Sequence, residues 1–71
     1  MKALPEVRER VLALLRMRGS ATQEQILNSV GGNHREKRDQ CIDAIRELLD
    51  EHLIEMITVK ATRYAIVPRQ P

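Results

Sequence analysis

The apolar residues in the first part of the chain repeat at the spacing of one helix face. They recur three and four positions apart, at Val7, Val11, Leu14 and Leu15. This repeat is typical of an amphipathic helix. Pro5 suits the first turn of such a helix, because its missing N–H needs no partner there, and Gly19 can end it. The pattern predicts a first helix over residues 3–18.

A second, shorter helix is predicted over residues 22–30. Thr22 can cap its start, and Gln25 stands three residues further on, which is the spacing of a capping box. The apolar edge of this segment consists of Ile26, Leu27 and Val30. Gly31 and Gly32 follow directly and are expected to stop the helix.

A third helix is predicted over residues 33–52. Asn33 can cap its start, and Glu36 stands at the position that reaches back to the cap. At about 100° per residue, one narrow stripe of this segment carries Arg38, Cys41, Ile45, Leu48, Leu49 and His52. Most of these residues are apolar, so the stripe is expected to face the core.

After residue 52 the pattern changes to that of strands. The stretches "LIEMITV" and "RYAIV" are rich in β-branched and apolar residues, and Lys60-Ala61-Thr62 lies between them. They predict a two-stranded hairpin over residues 54–67. The connection lacks an Asn-Gly or Asp-Gly pair, so the type of turn stays open. Residues 68–71 are expected to form a frayed tail.

Together these elements predict a mainly α fold with a small β-hairpin, in one domain over residues 1–71. Tyr64 is the single aromatic residue, so the core has to be built from aliphatic side chains. The expected core residues are Val11, Leu14, Leu15, Ile26, Leu27, Val30, Cys41, Ile45, Leu48, Leu49, Leu53, Ile54, Tyr64 and Ile66.

The end of the third helix and the hairpin also carry the pattern of a known fold family. The stretch "AIRELLDEHLIEMI", followed by "TRYAIV", resembles the winged helix-turn-helix domains. The matching positions are Ile45, Leu48, Asp50, Glu51, Leu53, Ile54, Tyr64 and Ile66. His52 stands where these families usually have a glycine. The resemblance implies three helices plus a wing, and a small transcriptional regulator that binds double-stranded DNA.

A narrower likeness concerns the start of the third helix. The pair Gly31-Gly32 followed by a basic run looks like winged helices attached to plasmid and phage replication proteins. The alternative to a transcriptional regulator is therefore an accessory domain of a mobile-element replication protein.

The charge is spread unevenly around a net value of +2. Residues 1–18 carry a net charge of +3, residues 34–40 carry +1 and residues 56–71 carry +3. Residues 41–55 carry −4, from five acids and one arginine. The positive charge therefore lies at both ends of the chain and at the start of the third helix. These regions are the ones that can attract a phosphate backbone.

The run "GGNHREKRDQC" at residues 31–41 is the candidate DNA-reading element. A helix start offers free N–H groups and a positive dipole end, both suited to phosphate. Arg can fork onto guanine or phosphate, and Asn or Gln can pair with adenine. The DNA contacts expected from this run are Asn33, His34, Arg35, Lys37, Arg38 and Gln40. Backbone contacts are expected from Lys60 and Arg63 on the wing and from Thr22 and Gln23 at the second helix.

Two features of the helical wheel and one simpler explanation argue against DNA contact along the whole run. On the helical wheel, the residues expected to point outward are Glu36, Gln40, Asp43 and Glu47, so DNA contact would concentrate at the first turn. Arg38 lies on the core side of the wheel and can instead bond helix ends. The run can also be a solvated, charged helix start of no particular function.

The rival class is a protein-interaction module, because the acidic outward face of the third helix suits a basic partner. A homodimer is also expected, since regulators of this fold often pair to span two half-sites. Its candidate surface on the first helix consists of Leu4, Leu12 and Met17. A continuous positive stripe from the third helix to the wing favours DNA, and a split field favours the protein partner.

Catalysis, cofactors and metals are not expected. His34 and His52 are about five helical turns apart, so they cannot share a metal, and no glycine-rich nucleotide-binding pattern surrounds Gly31-Gly32. The single Cys41 excludes an internal disulfide and is expected to be a small buried residue. With no signal peptide and no apolar run long enough for a membrane, a reducing cytoplasm is the expected location.

Overall fold

The computed structural model describes residues 3–68 and contains three helices followed by a two-stranded hairpin. Helix α1 runs over Pro5–Arg18, and α2 over Gln23–Ile26, which a π-helical segment continues over Leu27–Gly31. Helix α3 runs over Arg35–Asp50, and the strands are β1 over Ile54–Thr58 and β2 over Thr62–Ile66. The predicted class, mainly α with a small β-hairpin, is confirmed. The predicted tail lies partly outside the described residues.

Helix α1 ends at Arg18 as predicted, but it begins at Pro5, two residues later than the predicted start. Pro5 occupies the first helical position, and Gly19 ends the helix with φ of 82° while its N–H donates to the carbonyl of Leu15 at 2.8 Å. A positive φ suits glycine because it has no Cβ to clash. One expectation is wrong, because Leu12 was assigned to a dimer surface and is 9% exposed in the core. The buried stripe of α1 is therefore wider than the four-residue repeat indicated.

The capping box of the second helix is confirmed in both directions. The N–H of Gln25 donates to Thr22 Oγ1 at 3.2 Å, and the N–H of Thr22 donates to Gln25 Oε1 at 3.0 Å. The π-helical turn that follows was not predicted. Leu27 and Val30 are three positions apart, a spacing that an α-helical turn also uses, so the apolar pattern does not separate the wider turn from an α-helical one.

The turn before α3 corrects the predicted cap. The N–H of His34 donates to the carbonyl of Gly31 at 3.2 Å, and Gly32 has φ of 60° and ψ of −132°. These values fit the second position of a type II′ turn, which puts Asn33 in the third position. Asn33 is thus inside the turn, and His34 is the N-cap, without a side-chain capping bond. Helix α3 starts at Arg35, two residues later than predicted.

Gly31 allows this turn to lie directly against α3. A Cβ added at Gly31 would stand 2.7 Å from Cγ of Arg38 and 3.0 Å from its Cα. Carbon atoms pack without repulsion at about 3.5–4.0 Å. The close approach of the two segments therefore depends on the absence of a side chain here.

Helix α3 ends in a Schellman motif. The N–H of Leu53 donates to the carbonyl of Leu48 at 2.9 Å, and the N–H of His52 donates to that of Leu49 at 3.1 Å. His52 has φ of 59°, the left-handed conformation that this motif demands. His52 was expected on the core-facing stripe of the third helix, but it lies exposed beyond the helix end, at a position where glycine is physically favoured.

The hairpin confirms the prediction for residues 54–67. The strands are antiparallel, with Ile54 opposite Ile66 and Met56 opposite Tyr64. Tyr64 also exchanges two backbone hydrogen bonds with Ala21, at 3.0 and 2.7 Å. This bridge fixes the hairpin against the connection between α1 and α2.

The core is aliphatic apart from Tyr64, as predicted. Its buried residues are Ala3, Val7, Val11, Leu12, Leu15, Ala21, Ile26, Leu27, Cys41, Ala44, Ile45, Leu48, Ile54 and Tyr64. Five predicted core residues, Leu14, Val30, Leu49, Leu53 and Ile66, are only half-buried and pack at its edge. Within residues 3–68, no helix is both long and apolar enough to cross a membrane.

Candidate nucleic-acid interface

The start of α3 presents a run of exposed polar side chains. Asn33, His34, Arg35, Glu36 and Lys37 are all exposed. The helix behind them is 16 residues long, so its first turn has unpaired N–H groups and the positive end of a full helix dipole. Such an end favours an anion, and the two cations beside it add to the attraction.

The cations of this first turn keep their charge available. Among residues 3–68, every salt bridge involves Arg8, so Arg35 and Lys37 have no acidic partner within that range. Glu36 lies between them in sequence, and on the helical wheel it points between their two flanks. The first turn therefore carries two unpaired positive charges and one negative charge.

Arg38 has intramolecular partners instead. Its Nη1 donates to Asn28 Oδ1 and to the carbonyl of Gly32, both at 3.0 Å. The expectation that this side chain bonds helix ends is confirmed. Arg38 ties the π segment and the glycine turn to α3, and so holds the first turn of α3 in place.

Gln40 and Glu47 do not point freely outward, and that expectation is wrong. Gln40 is half-buried, and its Oε1 accepts from the N–H of Leu4 at 2.9 Å. Glu47 accepts from the N–H of Ala3 through Oε2. The reason is tertiary, because the chain entering α1 crosses this flank of α3. An amide engaged in this way is less available to adenine than the sequence suggested.

Arg8 neutralises part of the acidic stretch. Its guanidinium lies 2.7 Å from Glu51 Oε1 and 3.2 Å from Glu47 Oε1. The hydrogen bond to Glu51, aided by the charges of both carboxylates, raises the pKa of Arg8. Two of the five acids between residues 41 and 55 are thus paired. Nothing in the spacing of Arg8 along α1 revealed this role.

Three acids of α3 line an open groove. Its lining residues are Glu36, Asp39, Gln40 and Asp43. Carboxylates repel phosphate, so Asp39 and Asp43 disfavour DNA contact beyond the first turn of α3. It is the part of the predicted acidic face that stays accessible.

The DNA contacts predicted on the wing and on the second helix lie on other elements than the start of α3. Lys60 is exposed in the loop of the hairpin, and Gln23 is exposed at the first position of α2. Arg63 is half-buried, and its Nε donates to Ser20 Oγ at 3.0 Å. Thr22 uses its hydroxyl as the helix cap. The bridge between Ala21 and Tyr64 brings Thr22 and Arg63 to one edge of the hairpin, whereas Lys60 lies in the loop between the strands.

Residues 3–68 contain no group of three or more His, Cys, Asp or Glu side chains placed to hold a metal ion. Cys41 is fully buried, and burial raises the pKa of its thiol. A buried, protonated thiol is a packing group rather than a nucleophile.

Comparisons with protein families, with curated proteins and with solved structures find no match to this chain.

Proposed function

We propose that this protein binds double-stranded DNA through the first turn of α3, as a small cytoplasmic regulator of transcription. The resemblance to winged helix-turn-helix domains implies such a role, and the order of three helices and a hairpin is compatible with it. The proposal assigns sequence reading to the exposed side chains of Asn33, His34 and Arg35. It assigns backbone contact to Lys37, Lys60 and Arg63.

The observation that carries the proposal is a helix start that has unpaired cations and is held in place by hydrogen bonds. Arg35 and Lys37 are exposed, and no acid within residues 3–68 pairs with them. Arg38 fastens the preceding turn to the same helix through its hydrogen bond to the carbonyl of Gly32, and it also bonds Asn28 of the π segment. Because the backbone of this turn is already held, phosphate binding has to order only the side chains of Arg35 and Lys37.

The Arg8 pairs support the same conclusion. Glu47 and Glu51 would otherwise add two negative charges to the helix that approaches DNA. Their pairing with Arg8 lowers the repulsion that the sequence alone suggested. The uncompensated acids Asp39 and Asp43 remain, which is why the proposal confines contact to the start of the helix.

A salt titration of binding to a random-sequence duplex tests the proposal. Each phosphate contact contributes about 0.9 to the slope of log affinity against log salt concentration. The double variant Arg35→Ala/Lys37→Ala should therefore bind more weakly, with a slope lower by about two. Fluorescence anisotropy of a labelled duplex gives both quantities.

Arg46→Ala is the control for the loss of one charge. Arg46 is also an exposed arginine of α3, but it lies 11 residues after Arg35, about 16 Å along the helix. It should leave the slope nearly unchanged. Equal effects of Arg46→Ala and Arg35→Ala would refute the site, and absence of duplex binding by the wild type at low salt would refute the function.

A second candidate is a protein-interaction module that takes a basic segment. The groove lined by Glu36, Asp39, Gln40 and Asp43 is the observation in its favour. Asp43→Asn separates the two functions. It should strengthen non-specific duplex binding if DNA is the ligand, because a repulsive charge is removed. It should weaken the binding of a lysine-rich peptide if the groove holds a basic partner.

Two further predictions concern the larger protein or assembly in which the domain acts. An accessory domain of a mobile-element replication protein would use the same cationic helix start, so the salt titration applies to it equally. A homodimer through α1 would have to use Leu4 and Met17, which are 51% and 81% exposed, without the buried Leu12. Sedimentation at micromolar concentration tests this pairing, and a monomer would refute it.

A further inference from the structure

A small crevice lies beside Lys37, at the junction of α1, α3 and the π segment. It is lined by Glu6, Val7, Arg10, Val30 and Lys37. Arg10 and Lys37 are 27 positions apart in sequence, so only the packing of α1 on α3 brings them to one place. Its cavity volume is about 40 Å³, so it is a shallow crevice in the surface that an anion can reach from solvent.

The charges around the crevice favour a single anion. Arg10 and Lys37 supply two positive charges and Glu6 one negative charge, which leaves a net charge of +1. None of the three takes part in a salt bridge within residues 3–68. Two cations at one crevice repel each other, and a monoanion between them removes that repulsion while neutralising the site.

The walls of the crevice strengthen the attraction. Val7 is buried and Val30 is half-buried, so one side of the crevice is apolar. An apolar wall lowers the local dielectric response, and charges then interact more strongly than on an open surface. Arg10 projects from α1 and Lys37 from α3, so the two cations approach an anion from different helices.

We propose that this crevice takes a backbone phosphate of duplex DNA, with Arg10 as a phosphate-contact residue that the sequence did not indicate. The proposal rests on the proposed function, and it extends the DNA surface from the start of α3 onto α1. A phosphodiester carries one negative charge, which matches the net charge of the crevice. Arg10 and Lys37 then act as one clamp, and Glu6 weakens it.

Salt titrations of duplex binding test this clamp. Arg10→Ala should lower the slope by about 0.9, the value for one phosphate contact. Arg16→Ala is the matched control, since Arg16 is an exposed arginine of the same helix and does not line the crevice. Glu6→Gln should raise the affinity several-fold at low salt. Glu9→Gln removes the same charge from an exposed position of α1 outside the crevice, and should change the affinity less.

The outcomes separate the two proposals. If the wild type binds duplex and Arg35→Ala weakens it, but Arg10→Ala behaves like Arg16→Ala, the clamp is refuted and the proposed function stands. If the wild type does not bind duplex at low salt, both fail.

A free phosphate ion is distinguished from a backbone phosphate by NMR. Duplex should shift the backbone amide resonances of Val30 and Lys37 in the wild type and much less in Arg10→Ala. Inorganic phosphate at matched ionic strength should shift them only at a much higher concentration, because it makes none of the other contacts of a duplex. Shifts caused by inorganic phosphate, together with normal duplex binding by Arg10→Ala, would overturn the assignment to DNA.

Discussion

Gly31→Ala tests how the turn before α3 is packed. The added methyl group would stand 2.7 Å from Cγ, 3.0 Å from Cα and 3.1 Å from N of Arg38. Compared with an ordinary carbon contact of about 3.5 Å, the overlap at Cγ is about 0.8 Å. Two of the three atoms belong to the backbone of α3, so a change of side-chain rotamer cannot relieve all of it.

The expected cost follows from two opposing effects. Overpacking of this kind costs about 1–3 kcal/mol. Alanine also restricts the unfolded chain, which returns about 0.4–1 kcal/mol where its backbone conformation is allowed. We expect a net destabilisation of about 1 kcal/mol, and for a domain of this size a Tm lower by about 4–8 °C. Thermal and urea denaturation followed by circular dichroism at 222 nm measure both quantities.

A double-mutant cycle identifies Arg38 as the source of the clash. Arg38→Ala removes Cγ and leaves only the two contacts at 3.0 and 3.1 Å, which small shifts can relieve. The cost of Gly31→Ala should then be smaller by at least about 0.5 kcal/mol. Asn28→Ala is the control background, because it removes one hydrogen-bond partner of Arg38 but keeps Cγ.

Two results would refute this reasoning. One is a cost of Gly31→Ala that is the same in the Arg38→Ala background as in the wild type. The other is a stabilising effect of Gly31→Ala, which would mean that the turn and α3 are not in close contact.

Three further predictions concern the end of α3, the buried thiol and the Arg8 pairs. His52→Gly should stabilise the protein by about 0.5–1 kcal/mol. The left-handed conformation at φ 59° costs a residue with a side chain about 1–2 kcal/mol, and glycine loses about 0.5–1 kcal/mol in chain entropy on folding. Thermal melts compare this variant with His52→Ala, which should show no gain in stability. Burial raises the pKa of Cys41, so the stability that this thiol contributes is complete below its unfolded pKa of about 8.5 and is lost as pH rises through the folded value. Urea midpoints of the wild type should fall more steeply above pH 8.5 than those of Cys41→Ala, and parallel declines would contradict the assignment. Arg8→Ala should lower the free energy of unfolding by less than about 1 kcal/mol, since its ion pairs are partly exposed. It should also weaken duplex binding, because Glu47 and Glu51 then repel the phosphates fully. Unchanged anisotropy titrations would argue against this electrostatic role.

The start of α3 shows where prediction from the sequence stopped. Asn33 and His34 stand side by side before a helical run, and both can precede a first turn. The hydrogen bond from His34 to Gly31 makes Asn33 part of the turn and moves the helix start to Arg35. The basic run was correctly placed at a helix start, but the wheel could not tell which of its side chains would be used inside the protein.

Gln40 and Glu47 illustrate the larger limit. On the wheel of α3 alone both lie opposite the core, and a helix in isolation would expose them. Their partners are Leu4 and Ala3, which are 36 and 44 positions away in sequence. Periodicity carries no information about a segment that crosses the helix from so far away.

The sequence by itself determined the elements whose stabilising contacts join near neighbours. The capping box at Thr22, the glycine stop at Gly19 and the hairpin each depend on residues at most a few positions apart, or on alternation within a strand. Only the tertiary structure decided which charges remain available. The crossing of α1 over α3 pairs Arg8 with the acids of α3 and places Arg10 beside Lys37. The physical reason is that an electrostatic contact depends on distance in space, and the distance between two helices is set by how their buried faces pack.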